Sequence, residues 1–359
     1  MKKNVNICLT GGGTVGSVSP LLSVFDELKN KYTFFWIGSK FGIEKRIVKN
    51  IDIKFKSIYS GKLRRYFSWK NFIDPVLIII AFAQSLLILA KNKPNLIISA
   101  GSFISVPVIW AGWLLRIPIL IHQMDYRPGL ANKLMAPFAK KITVALEKSL
   151  DDYSDKAIWI GNFIRKEFKQ YQISGQEAKQ RLNLNNELPV ALILGGGTGS
   201  KAINILTQKS LSELTKFCQI VHIIGKRKGL NLEPIKNYHP IEFVYIDGMI
   251  KSFMAADIVV SRCGMGVLTE ISFLGKPAIL IPLPDSHQED NAKIFFKEKA
   301  AMVLDQNGLT PEKFSGNILK LLKDDLLRGL LRGNIKKVIR TSADKEISRV
   351  IEDLILSNK

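Results

Sequence analysis

Two glycine-rich tracts constrain this chain more than any other feature. Gly11-Gly12-Gly13-Thr14-Val15-Gly16-Ser17 follows a short β-rich run over residues 5–10, and Gly195-Gly196-Gly197-Thr198-Gly199-Ser200 follows another over residues 190–194. A turn of this kind between a strand and a helix lets backbone N–H groups approach an anion, with the positive end of the helix dipole behind them. Tight-turn geometry accounts for a single tract equally well, but a repeat at the head of each half predicts two lobes of sibling architecture. Neither tract ends in the Gly-Lys-Ser/Thr of an ATP-binding loop, and neither is a clean Gly-x-Gly-x-x-Gly dinucleotide fingerprint. Kinase and dehydrogenase chemistry are set aside on that ground.

Short apolar runs recur with helix-length segments between them, at 33–37, 96–100, 119–121, 142–145 and 157–160, and again at 220–224, 242–245, 258–261, 278–281 and 301–304. This alternation predicts α/β lobes built on doubly wound parallel sheets. A chain of 359 residues also exceeds what one hydrophobic core comfortably fills. The expected division is an N-terminal domain over 1–160, a C-terminal domain over 161–335, and a closing helix over 336–359 that packs back across the lobes. Gly161-Asn162-Phe163-Ile164-Arg165 is the expected hinge. Ile347, Val350, Ile351, Leu354 and Ile355 share one helical face, and Thr341 with Asp344 resembles a capping box.

Lys and Arg outnumber Asp and Glu by 52 to 31, a formal charge of +21 that favours a partner carrying phosphate or anionic lipid. No basic helix or basic-aromatic strand motif points to nucleic acid. Cys8, Cys218 and Cys263 are scattered, without a Cys-x-x-Cys pair, which argues against a disulfide framework or a zinc site. With no signal-peptide pattern after Met1, a cytoplasmic protein is expected.

Chemistry concentrates in the second half. Ser261-Arg262-Cys263-Gly264-Met265-Gly266-Val267-Leu268-Thr269-Glu270 places a cation and glycines after a strand and an acid within the next helix. Glycine amides and Arg262 suit a diphosphate, and the Glu270 carboxylate suits both hydroxyls of a ribose. The plainer alternative is that Arg262 and Glu270 pair with each other. Downstream, Pro282-Leu283-Pro284-Asp285-Ser286-His287-Gln288-Glu289-Asp290-Asn291-Ala292 offers many groups for sugar hydroxyls, or an ordinary helix-capping loop.

Order and spacing of these pieces resemble the bacterial MurG family over nearly the whole chain. The matching segments are Gly12-Gly13-Thr14 onward to Pro20, Gly101-Ser102-Phe103-Ile104-Ser105-Val106-Pro107, residues 122–133, Gly161 to Arg165, residues 195–204, Tyr245-Ile246-Asp247-Gly248-Met249, residues 262–270, and His287-Gln288 with Asn291-Ala292. The resemblance implies a GT-B fold, two Rossmann-like domains facing a cleft. It also implies inverting, metal-independent transfer of N-acetylglucosamine, with no cofactor, from UDP-N-acetylglucosamine to polyprenyl-diphosphate-linked N-acetylmuramyl-pentapeptide in peptidoglycan synthesis. By position it puts Ile246 at the uracil, Glu270 at the ribose and Gln288 at the sugar. Arg165, Gly197, Thr198, Met249, Arg262, Met265 and Gly266 then line the nucleotide and diphosphate. Gly13, Thr14, Gly16 and Ser17, with Gly101 and Ser102, face the lipid acceptor and its diphosphate.

Two departures fall on the acceptor side. Val15 and Ser17 replace the glycine at the fourth position and the histidine of the family's Gly-Gly-Thr-Gly-Gly-His loop, and its His-Glu-Gln-Asn segment reads His122-Gln123-Met124-Asp125. Inverting transfer needs a base for the acceptor hydroxyl. Asp125 is the candidate, or else caps the turn before Pro128-Gly129; His122 is a second candidate.

The apolar stretch 76–90 spans about 22 Å as a helix, short of a hydrocarbon core of about 30 Å. With Arg64, Arg65, Lys70, Lys91 and Lys93 around it, it suits a buried helix or one lying on an anionic surface. In the resembling family this region faces the membrane, so Ile79, Phe82 and Trp113 are expected in a peripheral patch at the cytoplasmic face of the cell membrane. A UDP-sugar epimerase of the same architecture and a catalytically silent nucleotide-sugar-binding relative are the alternative functions.

Overall fold

The computed structural model describes residues 5–59, 61, 70–171, 173–197, 199–225, 234–242 and 244–357. The chain forms two compact units, Met1–Phe163 with Arg340–Lys359, and Ile164–Ile339. The breaks lie three and four residues beyond the expected 160/161 and 335/336 boundaries.

The first unit contains β1 (Asn6–Thr10), α1 (Val15–Leu28), β2 (Thr33–Ser39), α2 (Ile43–Val48), β3 (Lys54–Ile58), α3 (Lys70–Asn92), β4 (Leu96–Ser99), α4 (Ser105–Leu114), β5 (Ile119–Gln123), α5 (Leu130–Met135), β6 (Lys141–Val144) and β7 (Ala157–Trp159). All seven strands are parallel, in the order β3-β2-β1-β4-β5-β6-β7. Alternation along β1 sends Ile7 and Leu9 into one core with Leu21 and Val24 of α1, and Cys8 into the opposite core with Ala81 and Leu89 of α3. Helices therefore cover both faces, as parallel sheets require. Sequence reasoning overlooked β3 because Lys-Phe-Lys-Ser-Ile, at the sheet edge, buries only Ile58 fully.

The second unit contains α6 (Lys166–Gln170), α7 (Gly175–Arg181), β8 (Val190–Leu194), α8 (Lys201–Leu214), β9 (Gln219–Ile223), β10 (Tyr238–Ile241), α9 (Ile246–Ala255), β11 (Ile258–Ser261), α10 (Met265–Leu274), β12 (Ala278–Leu280), α11 (His287–Lys297), β13 (Met302–Val303), α12 (Pro311–Lys323) and α13 (Asp325–Val338). Its strands are also parallel, ordered β10-β9-β8-β11-β12-β13. The strand expected at 242–245 is instead β10, four residues earlier. Pro240 obscures it in the sequence and is tolerated because β10 is an edge strand.

Both sheets reverse their winding direction beside the first strand, between β1 and β4 and between β8 and β11. Such a switch point leaves a crevice at the carboxyl ends of the strands, where α/β proteins bind ligands. The two glycine-rich tracts follow β1 and β8, so each stands at the switch point of its own sheet.

The segment 336–359 is not one helix. Helix α13 ends at Val338 in the second unit, and α14 (Ala343–Leu356) lies on α1 within the first. The predicted face is the one that packs: Ile347, Val350, Ile351, Leu354 and Ile355 are all buried. Five such side chains contribute on the order of 10 kcal/mol of gross transfer free energy. The N-cap residue is Ser342 rather than Thr341, and its side chain makes no cap bond. Gly161, at φ +85°, accepts the returning strand of chain: a Cβ there would collide with the Arg340 carbonyl, which accepts the Asn162 N–H at 2.8 Å.

Candidate donor and acceptor sites

In the second unit the segment from Cys263 to Glu270 organises the site. Helix α10 starts behind Gly264, which has no side chain to cap it, and no acidic residue stands in its first turn. Its leading amides, unpaired by helix geometry, therefore lie beside Gly264 and exposed Gly266, where even a Cβ would meet nothing. Two side chains of α11 hold this turn from behind. Gln288 Oε1 accepts the Cys263 N–H at 3.2 Å and the Leu283 N–H at 3.1 Å, and buried Asn291 donates to the Cys263 carbonyl at 3.0 Å. With its oxygen occupied twice, Gln288 has only its Nε2 hydrogens left to offer a ligand.

Glu270 is buried and ion-paired with Arg165, whose guanidinium also lies 5.1 Å from the Phe168 ring centroid. Burial pushes the Glu270 carboxyl above its ordinary value, and Arg165 pulls against that shift. Arg165 keeps about a third of its side chain exposed, so it has a hydrogen-bonding edge toward solvent.

Arg262 does not pair with Glu270, and its guanidinium is engaged inside the unit. Only 5% exposed, it donates from Nη1 to the carbonyls of Ile281 at 3.1 Å and Pro282 at 2.8 Å, and from Nη2 to Ser200 Oγ at 2.9 Å and to Gln306. Four of its five donors are spent tying the end of β11 to the loop after β12 and to the cap of α8. The cation that pairs with Glu270 is Arg165.

Met265 is buried at the start of α10. Ile246 and Met249 are half-buried in the first turn of α9, a separate element on which α6 packs through the Phe168–Phe253 ring contact. Gly197 is exposed after β8, and Thr198 lies outside the described residues.

In the first unit Gly13, Thr14 and Gly16 are exposed after β1, but the tract is less open to an anion than expected. The Gly13 N–H is already bonded, at 3.0 Å, to the carboxylate of buried Glu44. Ser17 is buried rather than turned outward: its hydroxyl donates to the carbonyls of Gly12 at 2.7 Å and Thr14 at 3.2 Å. It closes its own loop, so it is not a substitute for the family's histidine. After β4, Gly101 and Ser102 adopt positive φ of 83° and 131°, and Ser102 Oγ accepts the Ile104 N–H at 3.2 Å.

His122 is corrected as well. It lies inside the sheet on β5, 1% exposed, with Nδ1 3.1 Å from Thr143 Oγ1 and Nε2 3.3 Å from Asn162 Oδ1. Burial lowers its pKa to about 4, so it is a neutral structural residue and no base for the acceptor. Asp125 stands in the loop between β5 and α5, half-buried, just past the carboxyl end of the strand. Next to it sequence reasoning missed a polar pair. Gln123 Oε1 accepts from Tyr153 and, at 3.4 Å, from Asn132 Nδ2, while buried Gln123 Nε2 and Asn132 Oδ1 have no partner among the described residues. The sequence signal was only two amides nine residues apart.

Two parallel α/β units with a glycine-rich turn at each switch point describe the GT-B architecture, and the family comparisons place the chain among glycosyltransferases. Residues 7–144 match the glycosyltransferase family 28 N-terminal domain, and residues 190–345 match the family 28 C-terminal domain. Among solved structures, Acinetobacter baumannii MurG aligns with a TM-score of 0.76 at 22% identity, covering 97% of this chain and 99% of that one. The UDP-GlcNAc 2-epimerase from Neisseria meningitidis reaches 0.70 at 15% identity over 98% and 100%. At these identities the structures share the fold alone.

The UDP-N-acetylglucosamine--N-acetylmuramyl-(pentapeptide) pyrophosphoryl-undecaprenol N-acetylglucosamine transferase of Clostridium kluyveri is 38% identical, covering 98% of this chain and 99% of its own. The chain belongs to the MurG family of glycosyltransferases.

Proposed function

We propose that the chain transfers N-acetylglucosamine from UDP-N-acetylglucosamine to a polyprenyl-diphosphate-linked N-acetylmuramyl-pentapeptide, with inversion at the sugar carbon. The observation that carries this reading is the open start of α10, with Gln288 behind it and the Arg165–Glu270 pair further along the same helix. In this reading the α10 amides and Arg165 stabilise charge on the departing diphosphate. Glu270 accepts the ribose hydroxyls, and Gln288 Nε2 donates to the sugar. Ile246 and Met249 border the uracil, and Gly197 and Thr198 the diphosphate. In the first unit the exposed turn at Gly13, Thr14 and Gly16, with Gly101 and Ser102, receives the lipid acceptor, and Asp125 takes the proton from its hydroxyl. The test is incubation of the protein with labelled UDP-N-acetylglucosamine and a short-chain lipid-linked muramyl-pentapeptide, with a disaccharide product expected. An epimerised nucleotide sugar in its place, or donor binding without any product, overturns the proposal.

Glu270→Ala is expected to weaken UDP binding about tenfold, near the low end for a hydrogen bond to a charged group. The loss is moderate because the variant also frees Arg165 to meet the diphosphate. Unchanged affinity in titration calorimetry, with the fold intact, removes Glu270 from the donor site.

We also propose that the first unit lies on the anionic inner leaflet. Helix α3 is 23 residues long, and Asp74–Asn92 has a mean hydropathy of 1.8, so length alone does not exclude a membrane span as the apolar run suggested. Packing argues for a surface position instead: Ala81, Ser85 and Leu89 on one face are fully buried in the unit's own fold, while Val76, Ile79, Ile80 and Leu87 are exposed on the other. Trp113, Leu114 and Leu115 extend the apolar surface at the end of α4, which packs on α3. Phe82 packs against the core and drops out of the patch, while Ile79 and Trp113 stay in it. Arg64 and Arg65 lie outside the described residues. Ile79→Asp with Leu87→Asp is expected to abolish sedimentation with anionic liposomes, and salt to weaken it in the parent. Retained liposome binding by the folded double variant overturns the surface assignment.

A further inference from the structure

Glu44 is the first unit's deepest carboxylate, with no measurable exposure, and it sits at the second position of the short helix α2. Its Oε1 accepts the Ser39 N–H at 2.8 Å and the Ser39 hydroxyl at 2.6 Å, both from the end of β2. Its Oε2 accepts the Gly13 N–H at 3.0 Å. A buried carboxylate is costly unless hydrogen-bonded as a charge, and these three bonds meet that demand. The chain folds tightly around it: a Cβ at Gly12 or at Gly42 would overlap the carboxylate. Gly12, which looked like a ligand-access glycine, and Gly42, at the start of α2, are therefore there to admit an internal anion. Gly196, which stands in the second unit's tract where Gly12 stands in the first, has open space where a Cβ would be.

We infer that Glu44 is a positioning residue that fixes the Gly11–Gly16 turn in its acceptor-receiving shape; this rests on the acceptor reading of that turn given above. The internal carboxylate occupies the amide that a phosphate would otherwise take and adds a negative charge beneath the turn. What the turn still presents to a diphosphate is the set of first-turn amides of α1, beyond Thr14, where no acidic residue stands. Glu44 thereby determines where along the turn the acceptor anion is held, without touching it.

The test compares Glu44→Gln with the parent. The amide keeps an oxygen for Ser39 but turns an N–H₂ toward the Gly13 N–H, so two donors oppose each other. Expected are faster hydrogen exchange in the peptide covering residues 11–17, a KM for the lipid-linked acceptor raised about tenfold, and a KM for UDP-N-acetylglucosamine unchanged. Should Glu44→Gln fail to fold, Ser39→Ala removes one bond to Oε1 while leaving the Gly13 contact, and a smaller change in the same direction is expected. A lowered melting temperature with unchanged acceptor KM and unchanged exchange assigns Glu44 to stability alone and overturns the inference. A parent inactive toward the acceptor removes the proposed function instead, and unchanged exchange at 11–17 still overturns the positioning of the turn.

Discussion

Asp125→Asn is expected to slow sugar transfer by about a hundredfold or more, the usual scale for a general base, and to leave UDP affinity unchanged. The expectation follows from elimination as much as from place. His122 is buried and neutral, and the Ser17 hydroxyl is committed to two carbonyls of its own loop. Of the three residues considered, Asp125 is the one left, in the loop that follows β5 at the carboxyl edge of the sheet. Asparagine preserves its size and its capacity to cap a turn while removing the charge that draws a proton. Single-turnover transfer beside UDP titration separates the two roles. Full transfer activity in Asp125→Asn removes it from the mechanism, whereas a loss of folding identifies it as a turn cap.

The second large effect is in acid. His122 in the first unit and His222 in the second are both buried, and burial lowers each pKa from an ordinary 6.5 to about 4. Between those values the unfolded chain binds a proton that the folded chain rejects. The stability each neutral ring preserves is present in full above pH 6.5, declines as pH falls, and is gone by about pH 4. A shift of this size is worth about 3 kcal/mol per histidine. Glu270 acts with the opposite sign, because burial raises its pKa and its protonated form favours the fold, so it offsets part of the loss in the second unit. All five tryptophans precede residue 160, so tryptophan fluorescence during denaturant unfolding follows the first unit. The unfolding free energy of that unit is expected to fall by about 3 kcal/mol from pH 6.5 to 4, and His122→Asn to flatten that slope. An unchanged slope in the variant excludes His122 as its source.

Features written into local sequence were legible, and those made by distant segments were not. Strand, glycine turn and helix follow one another directly at Gly11 and again at Gly195, so the central strands of both sheets could be read, though edge strands β3 and β10 could not. The apolar face of α14 was legible for the same reason. The bonds of Arg262 were not legible because its acceptors come from Ser200, Ile281, Pro282 and Gln306, and nothing near Arg262 announces them. Arg165 and Glu270 are 105 residues apart, so the sequence placed both at the nucleotide without revealing that they pair. Phe82 failed differently: a helix apolar on nearly every side does not declare which side is inside, and only the buried Ala81, Ser85 and Leu89 fix its rotation.

The return of the chain at Arg340 has a consequence for biosynthesis. The second unit is one uninterrupted span, whereas the first is assembled from residues on both sides of it. A ribosome therefore releases the N-terminal sheet with the side of α1 that meets α14 uncovered, and that side stays bare until α14 emerges after the whole intervening unit. During that interval the core that Ile7, Val18 and Leu21 share with Ile347 and Ile351 is incomplete. Domains that fold as units in the order of synthesis would favour the N-terminal one, but here the contiguous second unit can close first, and the first is sealed by a helix made after it.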